Sequence, residues 1–87
     1  MVTKHELKIW PEFFGDVLSG AKKYEVRVND RGFKVGDELI LQEWNPNTAA
    51  YSGKTCTAKV AHITHGSEVP GSAMRPNLCV MGIEVIA

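Results

Sequence analysis

Between Gly20 and Asp37 the chain reads GAKKYEVRVNDRGFKVGD, and half of its ten basic side chains, Lys22, Lys23, Arg27, Arg31 and Lys34, fall within thirteen residues there. Only Glu25 and Asp30 oppose them, a local balance of +3 in a chain whose formal net charge is zero. A cationic patch of this density draws phosphate or carboxylate groups even to a protein without net charge. Within it, Glu25 and Arg27 are two residues apart. On a strand that spacing puts both side chains on one face, roughly 6–7 Å apart. A carboxylate beside a guanidinium offers an acceptor and a bidentate donor together, a useful pair for reading the edge of a nucleobase. The plainer reading of alternating charges is a solvated strand face, and alternation alone favours it.

Other chemistries have weaker support. His62 and His65, with Cys56 and Cys79 elsewhere, are zinc-ligand types, but on a strand positions 62 and 65 point to opposite faces, so no metal is expected. Trp10, Phe33, Trp44 and Tyr51 have rings on which bases stack. Such rings more often belong to the core. Phe33 and Trp44 stand out because they flank the basic stretch or a loop. Glu12, Asp16 and Glu38 show no paired-carboxylate spacing and are assigned to solvent. The chain has no phosphate-binding loop, dinucleotide-binding glycine fingerprint or Ser/His/Asp order, and no cofactor is expected.

The elements that must position the basic stretch follow from periodicity. His5, Leu7 and Ile9 alternate with Glu6 and Lys8 as a first strand. Pro11 suits the first turn of a helix, Phe13, Phe14, Val17 and Leu18 recur at helical spacing, and Gly20 is a natural stop, so a helix is predicted over 11–19. From Lys23 the alternation returns, with Tyr24, Val26 and Val28 on one face and Lys23, Glu25, Arg27 and Asn29 on the other. Turn chemistry at 29–32 and at Gly36-Asp37 leads into a strand over 38–44. A polar hairpin loop is expected over 45–53, a long strand over 55–64, a surface loop over 66–76 and a last strand over 77–86. Leu39 to Leu41 and Leu78 to Val80 are apolar on both faces, as in a sheet that curls on itself. The predicted fold is α+β, mainly β: a small curled barrel with one N-terminal helix, in the order β-α-β-β-β-β.

Eighty-seven residues, 44% hydrophobic and 23% charged, suit one globular domain spanning 1–87 rather than a disordered chain. With ten basic and ten acidic residues, non-specific nucleic-acid binding through many phosphate contacts is disfavoured, and any such role must come from a local patch. Two cysteines outside any C-x-x-C pair are expected to be small buried residues in a reducing compartment. The first ten residues carry charges at Lys4, Glu6 and Lys8 and lack the apolar core of a signal peptide. The run 78–87 is too short to span a membrane. A cytoplasmic protein without membrane contact is therefore expected.

The residues just quoted resemble the ASCH domain family. Its hallmark, G-x-K-x-x-E-x-R, reads here Gly20, Lys22, Glu25 and Arg27 with the spacing intact. HELKIWPEFF, VLSGAKKYEVRVNDRGFKVGDELIL and VMGIEVI resemble a branch of small bacterial and phage ASCH-like proteins, most densely over residues 5–41. The resemblance implies a barrel similar to RNA-binding PUA domains, with the motif beside a cleft. Lys22, Glu25 and Arg27 would line it, and Lys23, Arg31 and Lys34 would add to the binding surface. Strict alternation places Lys22 opposite Glu25, so Lys22 must lie in the helix–strand turn. The implied partner is RNA or a modified nucleotide, and catalysis is not expected. Two alternatives stand beside this: a protein-interaction module without ligand, and a small amidohydrolase acting on acylated nucleosides. The second would use Lys22 and Glu25, although Glu25 stands where such enzymes carry a threonine and cannot replace its hydroxyl as nucleophile.

Overall fold

The computed structural model describes residues 2–72 and 74–87. Five strands and one helix follow in the order β1 (Lys4–Ile9), α1 (Pro11–Ser19), β2 (Tyr24–Val28), β3 (Glu38–Asn45), β4 (Ala50–His65) and β5 (Leu78–Val85). The fold is α+β and mainly β, as the periodicity predicts. The strands make one sheet in the order β1-β3-β4-β5-β2. β1 runs parallel to β3, and every other pair is antiparallel.

The sheet curls because of β4. This strand is sixteen residues long. Its N-terminal part pairs with β3 and its C-terminal part with β5, with Ala58 and Lys59 serving both. The register slips between Gln42 and Trp44 on β3 and between Val60 and His62 on β4. Extra residues of this kind bend a strand and sharpen its twist. The two ends of the sheet, β1 and β2, are thereby brought face to face across an open seam, giving a half-barrel.

Inside it pack Leu7, Leu39, Leu41, Val60 and Met81, all enclosed. α1 closes one end with Phe14 and Val17, its two buried residues, while Phe13 and Leu18 of the same helical pattern are exposed. Pro11 starts α1 and Gly20 ends it in the left-handed conformation (φ 82°), where a side chain is disfavoured. A polar anchor sits at the start of β3. His5 Nε2 lies 2.8 Å from Asp37 Oδ2, which also accepts the Lys34 backbone N–H at 3.0 Å. The imidazole meets Phe33 edge-on at 4.7 Å. Phe33 is therefore a core ring, not a stacking platform.

The hairpin between β3 and β4 is tighter than the sequence suggests. Asn45 Oδ1 accepts the Asn47 N–H at 2.8 Å, a side-chain turn that reverses the chain within four residues. The ladder resumes with Asn45 opposite Ala50 and Trp44 opposite Tyr51, so residues 50–53 are strand, not loop. In the 66–76 connection, short 3-10 turns occupy Gly66–Glu68 and Pro70–Ser72. Gly66 is buried there, and any side chain on it would collide with the Arg75 carbonyl group.

Candidate functional site

The faces of β2 are inverted relative to the usual amphipathic strand. Tyr24, Val26 and Val28 are each about half exposed, whereas Glu25 retains only 4% of its surface. The charged face looks into the mouth of the half-barrel. The solvated-face reading of the alternation thus does not hold for Glu25. Burying a carboxylate is costly unless it is paired and hydrogen-bonded, and here both oxygens are taken. Oε1 accepts Lys22 Nζ at 2.8 Å, and Oε2 accepts Arg27 Nε at 2.7 Å, with Arg27 Nη2 2.6 Å away.

Lys22 reaches Glu25 because it lies in the turn, before β2 begins at Tyr24. That turn is held to the end of α1. The Lys22 N–H bonds the Asp16 carbonyl oxygen at 3.0 Å, and Ser19 Oγ bonds both the Asp16 carbonyl and the Ala21 N–H. Lys22 Nζ donates a second bond to the Tyr24 carbonyl at 2.9 Å. It lies 4.8 Å from the centre of the Tyr24 ring and 5.6 Å from that of Phe13.

Arg27 has a second task. Its Nη2 donates to the Lys8 carbonyl on β1 at 2.6 Å, and two residues away on the same strand the Glu6 carbonyl accepts Arg31 Nη1 at 2.8 Å. The barrel is thus closed across the β1–β2 seam by two guanidinium groups rather than by a backbone ladder. Carbonyls of an edge strand that face away from its neighbour need such partners or water.

Beside this closure lies a cleft of about 430 Å³, lined by Lys8, Trp10, Phe13, Lys22, Tyr24 and Arg27, with Glu25 at its base. That volume lies in the range of small-molecule sites. Trp10 and Phe13 stack at 6.3 Å with their planes 16° apart and form one wall. An ammonium has three donors and a guanidinium five. Among the described residues, Lys22 commits two, and Arg27 commits Nε and Nη2, leaving its Nη1 donors unpaired. The cleft therefore combines flat apolar walls with uncommitted cationic donors, three positive charges, Lys8, Lys22 and Arg27, against one negative, Glu25.

The basic stretch does not act as one patch. Lys22, Glu25 and Arg27 meet in the cleft, and Arg31 follows along the seam. Lys23 lines a separate depression between the end of α1 and the end of β5. Lys34 is exposed beside the Asp37 turn, which holds its backbone N–H. Sequence reasoning passed over Lys8, Phe13 and Tyr24, the first as an outward strand position and the other two as parts of apolar stripes. The i, i+3 pair Trp10 and Phe13, straddling the start of α1, was the available signal. Of the other aromatic candidates, Tyr51 is exposed and Trp44 half-buried.

His62 is exposed, and His65 Nδ1 lies 3.5 Å from Asn29 Nδ2. Among the described residues no three His, Cys, Asp or Glu side chains group as a metal site. Cys56 and Cys79 are unpaired and buried. Burial raises both thiol pKa values above the ordinary 9.0, and the Glu25 carboxylate raises that of Cys56 further. For Cys79, hydrogen bonding with the Arg27 backbone offsets part of the rise.

The family described as a domain of unknown function, DUF3850, matches residues 4–83. The chain belongs to the DUF3850 family. An uncharacterized 12.9 kDa protein of Escherichia phage P2, in the GpA 3' region, is 35% identical over 68 residues. These cover 78% of this DUF3850 chain and 61% of the phage protein, so the match spans less than two thirds of that relative's length. The crystal structure of hypothetical protein PH0355 matches with a TM-score of 0.66 at 20% identity, over 97% of this chain and 100% of that one. At that identity the likeness is one of fold. No helix among the described residues is long and apolar enough to cross a membrane.

Proposed function

We propose that this DUF3850 domain is of the ASCH and PUA-like kind and binds single-stranded RNA or a modified nucleotide, with one base held in the cleft beside Lys22, Glu25 and Arg27. The observation that carries the reading is the pairing of an exposed aromatic wall, Trp10 and Phe13, with the uncommitted donors of Lys22 and Arg27. Flat rings take the π-face of any base, at a gain of about 1–3 kcal/mol per stacked base. Cationic donors take its carbonyl and ring-nitrogen acceptors. Glu25 orients both cations and lowers their net charge, which suits a neutral base edge more than a bare phosphate.

Binding fits the site better than catalysis does. A lysine acting as base or nucleophile needs a free lone pair, whereas Lys22 is engaged as a donor to Glu25 and Tyr24. Both Glu25 oxygens already accept bonds from Lys22 and Arg27, so a water would have to share an oxygen with a cation.

The test is an amide chemical-shift titration of labelled protein with short single-stranded RNAs and free modified nucleosides. Shifts concentrated at Trp10, Phe13 and residues 22–27, weakened in Arg27→Ala, are expected. A spectrum unmoved at saturating ligand would sink the proposal, and new product resonances growing in with time would replace binding by turnover.

A further inference from the structure

The cleft does not end at Arg27. Lys8 and Arg27, which line it, also line a second hollow of about 420 Å³ further along the seam, together with Arg31, Gln42 and Tyr51. Its cations are Lys8, Arg27 and Arg31, against the single acid Glu6. Its far wall is the β3–β4 hairpin. There Trp44 and Tyr51 stand opposite each other in the ladder, and Lys8 Nζ hangs 4.5 Å from the Trp44 ring centre and 5.8 Å from that of Tyr51. Tyr51 is 53% exposed, so much of its ring stays accessible. Arg31 spends one nitrogen on the Glu6 carbonyl, and its other donors are uncommitted among the described residues.

The two hollows share Lys8 and Arg27: Trp10 and Phe13 wall the first, three cations, Lys8, Arg27 and Arg31, lie between, and Tyr51 borders the second from the β3–β4 side of β1. Successive bases of a single strand are joined by one phosphate. A groove that tracks such a strand needs rings for the bases and positive charge between them. Gln42, with donors and an acceptor on one amide, is placed to meet the edge of the second base.

We infer that the seam is a two-base track, so that the preferred ligand is an oligonucleotide rather than a lone nucleoside. The second base stacks at Tyr51, and the linking phosphate sits at Lys8 and Arg31. This rests on the nucleotide-binding reading of the first cleft.

The probes are nucleosides and the dinucleoside monophosphates of the same bases, titrated into wild type, Tyr51→Phe, Tyr51→Thr and Lys8→Ala. In wild type the dinucleoside monophosphate is expected to bind about tenfold or more tightly than the nucleoside, the effect of one further stacked base. Tyr51→Phe keeps that gain. Tyr51→Thr, which retains strand propensity, removes it and leaves nucleoside affinity unchanged. Lys8→Ala flattens the salt dependence of dinucleotide binding, which for one single-strand phosphate has a log–log slope of about −0.7. Equal affinity for the two probes in wild type overturns the second subsite and leaves the first standing, as does a gain that survives Tyr51→Thr. Binding of neither probe overturns both readings.

Discussion

Arg27 joins the two edges of the sheet: its Nη2 lies 2.6 Å from the Lys8 carbonyl oxygen on β1, while its Nε donates to Glu25 on its own strand. One guanidinium thereby closes the barrel, neutralises a buried carboxylate and presents the donors of the cleft. Lysine is a point charge on a flexible stem and lacks the planar fork that fixes these bonds together. Arg27→Ala removes one of the two closing bonds, leaving that of Arg31, and leaves Glu25 with Lys22 alone. Breaking a fully buried pair costs about 3–5 kcal/mol, and here Arg27 keeps 26% of its side-chain surface, so a loss of about 2–3 kcal/mol is expected. Arg27→Lys should recover less than half of it. Urea denaturation followed by circular dichroism checks both, and an unchanged midpoint in Arg27→Ala would show that the closure contributes nothing to stability.

Trp10 separates binding from folding. It occupies the cap position of α1 without a side-chain hydrogen bond to the helix. Trp10→Ser supplies that bond, worth about 0.5–2 kcal/mol, and gives up the stack on Phe13, worth about 0.5–1.5 kcal/mol. Stability should stay within about 1 kcal/mol of wild type, while nucleoside affinity falls by about tenfold, the loss of one stacking wall. A variant that unfolds early, or one that binds as wild type does, contradicts the role given to this ring.

The buried thiols give a pH dependence with a definite sign. Cys56 and Cys79 have folded-state pKa values raised above 9.0, chiefly by burial. The folded state therefore favours the neutral thiol, and its advantage is complete below pH 9. Above pH 9 the unfolded chain ionises first and gains relative stability. Unfolding free energy should fall as pH rises above 9, and less steeply in Cys56→Ala and Cys79→Ala than in wild type. Denaturation curves across that range test this. Parallel pH profiles in all three proteins would remove the thiols from the alkaline limb.

The helix and all five strands were legible because each carries its own punctuation: Pro11 and Gly20 bound α1, and period-two runs mark the strands. Periodicity states which residues share a face, however, and is silent on which face turns inward. For β1 and β3 apolar residues decide that. For β2 the barrel mouth decides it, through the pairing of Glu25 with Lys22 and Arg27 in three dimensions. His5 and Asp37 meet across 32 residues of sequence, and no local pattern joins them. Arg27 to Lys8 and Arg31 to Glu6 depend likewise on how far the sheet curls, which the bulges near Gln42 and Val60 set. Lys22 was the exception. The motif required it to leave the strand register, and the turn after Gly20 provides that.

The inversion of β2 yields the sharpest test of the architecture. Ordinary amphipathic reasoning makes Val26 a core residue and Glu25 a surface one. The structure reverses them, with Val26 46% and Glu25 4% exposed. Val26→Thr should therefore cost less than about 0.5 kcal/mol, the usual scale of a surface change. Glu25→Val gains apolar volume but strips Lys22 and Arg27 of their shared partner, leaving two like charges together. A loss of about 3 kcal/mol is expected, with Glu25→Gln between the two because the amide oxygen still accepts one of the bonds. Thermal and urea unfolding of the three variants check the order. If Val26→Thr proves the most damaging, β2 faces the other way and the cleft described here does not exist.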